Sequence, residues 1–294
     1  MRSESKVHRF TWHGRRCLIT GVGGFVGSHL AERLIEEEAH VFGVIRSPRD
    51  LFQLKTLSIN ERMKVYIGDV RDYEFLEPIF KFQDIDTCFH LAATSIVAES
   101  ERSPIHAFQT NVMGTWNVLE AARNCRVERM VVASSDKAYG EYPEEVLPYR
   151  EEYELRGTGI YSCSKACADM IAHAYFLDYK LPVTVTRCSN IYGPADPNLS
   201  RIIPGRVIRI FRGIPPSVFE TSQHHIREYT YITDIINAYL LLAERIDETQ
   251  GKAYNVGAGH ILSTLELVRK IASMMGAKIP IQVIKREFFS SWCL

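Results

Sequence analysis

The run RRCLIT-GVGGFVG-SHLAERLIE constrains the fold more than any other part of the chain. An apolar, strand-like segment leads into three glycines at the spacing GxxGxxG, Gly21, Gly24 and Gly27, and a helical pattern follows. Glycine tolerates positive φ and lets the main chain approach a ligand closely. A helix N-terminus adds N–H groups and the positive end of a dipole for a pyrophosphate. Strand, glycine turn and helix in that order predict the first unit of a dinucleotide-binding sheet, with Gly21, Gly24, Phe25, Val26 and Gly27 as the cofactor loop. The bland alternative is a tight turn that only packs a helix on a sheet.

The rest of the chain repeats the theme, alternating strand and helix with a period of about 30 residues, as parallel βαβ units do. HVFGVI, MKVYIGDV, DTCFHLAA, RMVVASS and PVTVTRCSNIYG read as five further strands. Helices are expected from about Ser28 to Glu38, from Ser103 to Cys125 and from Ser162 to Tyr179. The expected fold is α/β, a doubly wound parallel Rossmann sheet over 15–197 that follows an N-terminal extension, 1–14. From 198 to 294 the elements shorten and their connections become irregular, which predicts a smaller substrate-binding region, with some elements returning to the sheet. IQVIKREFFSSWCL ends without a further helical pattern, so a shortened C-terminus is expected.

Composition narrows the partners. Thirty-five basic residues balance thirty-five acidic ones, so no global field draws in nucleic acid or an anionic membrane. The first fourteen residues have no apolar signal core, and no apolar run approaches the roughly 20 residues that span a bilayer. Seven scattered cysteines, mostly within apolar segments, fit reduced thiols better than a disulfide framework or a zinc site. The expectation is a cytoplasmic protein with no metal: His224 and His225 lack partners at ligand spacing, and His90 reads as a satisfied strand-end histidine.

Asp69-Val70 closes the third strand, where a carboxylate either hydrogen-bonds an adenine amino group or caps a turn. The second strand ends in Arg46 rather than the acidic residue that binds a ribose 2′-hydroxyl. Arginine suits the 2′-phosphate of NADP and also stacks on the adenine of NAD, so both cofactors stay open. YSCSK places Tyr161 and Lys165 four residues apart on one face of a helix. A phenol with pKa ~10 is a poor base at neutral pH, but a neighbouring ammonium and a cationic nicotinamide both favour phenolate. Tyr161 then takes a hydroxyl proton as hydride leaves the same carbon. The alternative is an ordinary surface pair.

GVGGFVG, DV at Asp69, HLAA, NVMGTWNVLEAA, SSDKAYG, YSCSK and RCSNIYGP together resemble the extended short-chain dehydrogenase/reductase family, from about Arg15 to Gly257. Within it the chain looks like a nucleotide-sugar epimerase or dehydratase. The resemblance implies that Ser135 joins Tyr161 and Lys165 in a triad, and that Leu91, Ala92, Ala93, Val70 and Asn111 line the cofactor or order the helix beside it. The 4,6-dehydratases carry an additional acid and base directly after the serine or threonine, and Asp136-Lys137 is similar to the CDP-glucose branch, implying Asp136 as acid and Lys137 as base. The amine must be neutral to take a proton. A simple salt bridge between the two is the alternative.

The family pattern also implies that Asn190, Arg201 and Arg227 approach the diphosphate of the substrate, although QHHI stands before Arg227 where the pattern has a glycine turn. A nucleoside-diphosphate hexose is the implied partner. A homodimer through a four-helix interface, built from the helices 103–125 and 162–179 of each copy, is implied likewise. A C4-epimerase or sugar-nucleotide reductase is the runner-up, and a non-catalytic dinucleotide-binding homologue stands third.

Overall fold

A computed structural model describes residues 10–285; the rest of the expected 1–14 extension, and Cys293 with the chain end, lie outside the described residues. The described strands are β1 (Arg16–Thr20), β2 (His40–Ile45), β3 (Lys64–Ile67), β4 (Thr87–His90), β5 (Arg129–Ala133), β6 (Val183–Cys188), β7 (Asn190–Tyr192), β8 (Ser217–Phe219), β9 (Ile226–Tyr231), β10 (Ala253–Val256), β11 (Ile261–Ser263) and β12 (Gln282–Ile284). The chain divides into two compact units. One holds the residues up to Ser189 and Ile232–Val256; the other holds Asn190–Tyr231 and the residues from Gly257 on. The expected boundary at 197/198 thus lies inside the second unit.

The first unit is a seven-stranded parallel sheet of order β3-β2-β1-β4-β5-β6-β10. This is the expected doubly wound α/β sheet, and its order reverses between β1 and β4, where such sheets bind ligands. Both faces are covered, which is why β1, β4, β5 and β6 read as near-continuous apolar runs. Helices Tyr73–Phe82, Gly114–Asn124 and Ile160–Tyr179 bury Leu76, Phe80, Val118, Leu119 and Ala172 with Leu18, Val44, Met130 and Val132 of the sheet. On the opposite face Tyr239, from helix Ile232–Glu244, meets Phe89 edge-on at 6.5 Å.

Several elements differ from expectation. The first helix begins at Phe25, directly after Gly24, rather than at Ser28. The span 103–125 is not one helix: Pro104 restarts it, Gln109–Met113 widen into a π-turn, and Gly114–Asn124 continue as α-helix. PVTVTRCSNIYG is two strands, because β6 ends at Cys188 and β7 belongs to the other unit. KAYNVG supplies the seventh strand, pairing with β6. Helices Leu51–Thr56, Tyr73–Phe82 and Thr264–Met274 went unpredicted.

In the second unit β9 lies between β7 (parallel) and β11 (antiparallel), and β8 pairs with β12. Helices Ile202–Phe211 and Thr264–Met274 pack Ile210, Leu267, Ile271 and Ala272 together. Ser263 and Glu266 form a capping box that starts the second of these helices. Among the described residues no helix is long and apolar enough to cross a membrane. The six described cysteines are all unpaired, Cys17, Cys88 and Cys188 being buried.

Candidate active site

The glycine turn sits where β1 and β4 diverge. Gly21 adopts φ +73°, and a Cβ there would lie 2.8 Å from the Ala92 main chain. Its N–H donates to Val44 O at 2.9 Å. A Cβ on Gly27 would lie 2.5 Å from Gly21 O and 2.8 Å from Val22 Cα, so only glycine lets the helix pack this tightly. Gly24 is the N-cap, exposed, with no side chain capping the helix. A cradle that admits no side chain, at the dipole end of a helix and at the switch in strand order, fits a dinucleotide pyrophosphate. Gly23, outside the motif, is as constrained, since its Cβ would lie 2.5 Å from Asp50 O.

Along the same edge, Leu91 and Ala92 donate main-chain hydrogen bonds to Thr20 Oγ1 at 3.2 and 3.3 Å, so the segment through Ala93 follows β1. Asp69 is already engaged: Arg71 clamps it with Nη2–Oδ2 at 2.7 Å and Nε–Oδ1 at 3.0 Å. Burial pushes the Asp69 carboxyl up, but the Arg71 bonds outweigh that and leave it below its ordinary value. Val70 packs under Gly114 and gives its carbonyl to Asn117 Nδ2 at 3.1 Å. Arg46 is exposed at the end of β2, with Nη1 3.2 Å from His106 Nε2. Asn111, buried in the π-turn, brackets Thr94 by accepting from its N–H (2.7 Å) and donating to its carbonyl (3.2 Å), and bonds Ser164 Oγ at 2.9 Å. The π-turn thus ties the loop after β4 to the helix that carries Tyr161. His90 is satisfied by Thr20 and Thr115 at 2.7 and 3.0 Å, and burial, aided by Lys165, pushes its imidazole down to about 3.

The polar run Ser134–Gly140 leaves β5 as a 3₁₀ turn, Asp136–Tyr139. Ser135 caps the turn by accepting from Lys137 N at 3.2 Å, and its hydroxyl donates to Asp136 Oδ1 at 2.9 Å. Lys137 Nζ lies 3.4 Å from the same oxygen, an ion pair about a third exposed. Beside the turn runs helix Ile160–Tyr179. Ser134 Oγ donates to Lys165 O, and the buried Lys165 Nζ donates to Ala133 O at 2.7 Å. Tyr161 is buried one turn earlier. Burial pushes the Lys165 ammonium down to about 8 against the opposing pull of Cys188 and Asp169. Serine, acid, amine, phenol and buried lysine therefore come from two packed segments, all of them groups that can give or take a proton.

In the second unit, Asn190 Nδ2 donates to Glu228 O at 3.0 Å, fixing β7 against β9. Arg201 stands at the N-terminal boundary of helix Ile202–Phe211 without a capping side-chain bond, and its Nη1 donates to the buried carboxylate of Asp196 at 3.0 Å. Arg227 is exposed on β9, with Nη1 2.8 Å from Ile226 O. Among the described residues no three His, Cys, Asp or Glu side chains gather as metal ligands. Sequence reasoning missed Arg71, whose spacing two after Asp69 was visible, and the buried pair Arg187–Asp169, which nothing short of the fold reveals.

The family described as GDP-mannose 4,6 dehydratase matches residues 18–287. A dTDP-D-glucose 4,6-dehydratase of Dictyostelium discoideum is 30% identical over 273 residues, 88% of this chain and 62% of the relative. A CDP-glucose 4,6-dehydratase of Salmonella typhimurium is 30% identical over 257 residues, 84% and 70%. Among solved structures, dTDP-glucose 4,6-dehydratase from Bacillus anthracis in complex with NAD superposes with TM-score 0.83 at 28% identity, covering 92% of this chain and 85% of that one. UDP-glucose 4-epimerase from Thermotoga maritima with UDP-glucose gives the same TM-score and coverage at 26% identity.

Proposed function

The chain belongs to the GDP-mannose 4,6 dehydratase family, among the extended short-chain dehydrogenases/reductases, and we propose that it is an NAD-dependent nucleotide-sugar 4,6-dehydratase acting on a CDP-glucose-like hexose. The observation that carries this reading is Asp136-Lys137 placed directly after Ser135, on a turn packed against the helix of Tyr161 and Lys165. NAD, which Gly21, Gly24 and Gly27 would hold, would supply the acceptor for a hydride from C4 and return that hydride to C6 once water has left, with C5 regaining a proton. Ser135 and Tyr161 hold the C4 hydroxyl, and Tyr161 accepts its proton as the carbon is oxidised. The ketone acidifies C5–H, since the resulting carbanion is an enolate. Lys137 removes that proton, Asp136 protonates the departing C6 hydroxyl, and water leaves.

The ion pair is one proton transfer from readiness. Moving a proton from Lys137 to Asp136 converts ammonium and carboxylate into a neutral base and a neutral acid. Exclusion of water by a bound sugar favours that uncharged pair. Asn190, Arg201 and Arg227 are proposed to meet the diphosphate, and Arg46 and Asp69 the adenosine end of the cofactor. We place the enzyme in the cytoplasm as a homodimer that joins helices Gly114–Asn124 and Ile160–Tyr179 of each copy.

A C4-epimerase is the second reading, favoured by the ion pair as it stands, because an epimerase needs neither member free. Incubation with a panel of nucleoside-diphosphate hexoses separates the two. Product lighter by one water supports the dehydratase; an isomer of unchanged mass supports the epimerase.

A further inference from the structure

Tyr161, Lys165 and Asp169 follow one another at single-turn intervals along helix Ile160–Tyr179, so Asp169 continues the face that carries the candidate catalytic pair. Asp169 is buried, and Arg187 of β6 grips it with two bonds, Nε–Oδ2 at 2.8 Å and Nη2–Oδ1 at 3.0 Å. The remaining arm of the guanidinium, Nη1, donates to Tyr139 OH at 2.8 Å and to Glu151 O at 3.0 Å. Tyr139 OH in turn donates to Asn255 Oδ1 at 2.8 Å. Its ring is wholly buried and stacks on Tyr149 at 4.7 Å. Tyr139 is also the last residue of the turn that presents Asp136 and Lys137.

Stability does not explain this chain of contacts. A buried ion pair costs several kcal/mol per ion in desolvation, and apolar residues of similar volume often replace it without loss. What a bidentate, fully bonded arginine does supply is direction. A four-residue 3₁₀ turn has too few internal bonds to hold its own orientation, and Asp136 and Lys137 are too exposed to anchor it. Tyr139 is the one side chain of the turn that reaches this network.

We propose that Tyr139, held by the Asp169–Arg187 pair, is a positioning residue that fixes Asp136 and Lys137 relative to Tyr161. By doing so it promotes loss of water over simple oxidation and re-reduction at C4. The second statement rests on the dehydratase reading; the first does not.

Tyr139→Phe tests it by removing one hydroxyl and keeping the stacked ring. With NAD and sugar nucleotide in single turnover, water loss should slow by about tenfold to a hundredfold, the scale of a misplaced catalytic group. Formation of reduced cofactor should change by less than about threefold. Asn255→Ala, which withdraws the acceptor of the Tyr139 hydroxyl, should reproduce the pattern if the first variant folds poorly. Independently of turnover, amide exchange in the NAD-bound protein should accelerate at Lys137–Gly140 and not in helix Ile160–Tyr179. Equal slowing of oxidation and water loss with a lowered Tm would mean a merely structural role and overturn the proposal. So would unchanged exchange in the turn. Faster exchange there in a protein that dehydrates no sugar nucleotide would instead sink the dehydratase reading and leave the positioning role standing.

Discussion

Lys165 sits in the least accommodating place for a charge, buried beneath the site with its Nζ donating a hydrogen bond to Ala133 O. Its folded pKa of about 8 lies below the ordinary lysine value of ~10.4. Between those two pH values the unfolded chain holds a proton that the folded chain has released, so this group's contribution to stability rises with pH across the window. Below about pH 8 its full cost is present, on the order of 3 kcal/mol. Lys165→Met should therefore unfold at higher urea than the native protein at pH 7, and the gap should close toward pH 10. A gap independent of pH would refute the shift. Tyr161→Phe should lower hydride transfer by about a thousandfold, the scale of a lost general base, with an unchanged circular dichroism spectrum. Lys137→Ala should halt water loss while reduced cofactor still forms; native-rate product from that variant would remove Lys137 from the mechanism. That Tyr161 and Lys165 share a helix face was legible from their spacing, whereas the roles assigned to them rest on the glycine loop before them and the resemblance to the family. Arg187 on Asp169 was not legible, because the partner of an arginine so distant in sequence is decided by what the fold places within its reach.

At the scale of elements, the order strand, glycine turn, helix was legible because its requirement is local: backbone must pass backbone with no Cβ between. The requirement is graded, and that grading is testable in the absence of ligand. Gly27→Ala would push a methyl group against Gly21 O and Val22 Cα, atoms that cannot rotate away, and should cost about 1–3 kcal/mol, seen as a lower urea midpoint. Gly24→Ala, at negative φ with its nearest contact at 3.2 Å, should cost well under that. Equal effects would mean that the turn is not packed as described. The 103–125 span was misread because helical periodicity survives a π-turn, and only the bonds of Asn111 to Thr94 and Ser164 reveal why the helix widens there. The split of PVTVTRCSNIYG was hidden for a related reason: β6 and β7 are both apolar, and the change of sheet at Ser189 leaves no glycine or proline to mark it.

For the whole molecule, the order of motifs from GVGGFVG to RCSNIYGP made the family legible, but not how often the chain passes between its units. It does so at Ser189, Tyr231 and Val256, and none of these points carries a shift in composition. The proposed dimer belongs to this scale. Helices Gly114–Asn124 and Ile160–Tyr179 lie side by side, joined by Tyr175 OH to Glu120 Oε2 at 3.0 Å. They leave Trp116 44%, Met170 63% and Leu177 50% exposed, large apolar side chains that face solvent in the single chain. Burying a methionine against a second copy returns about 1.5–3 kcal/mol, and a carboxylate in the same place would have to be desolvated without a partner. Met170→Glu should thus leave the fold of each chain intact, with an unchanged circular dichroism spectrum, since the side chain already faces solvent, yet shift the protein from dimer to monomer. Sedimentation velocity at micromolar concentration reads both species directly. A native protein that sediments as a monomer would exclude the dimer, and a Met170→Glu dimer as tight as the native one would place the interface on another surface.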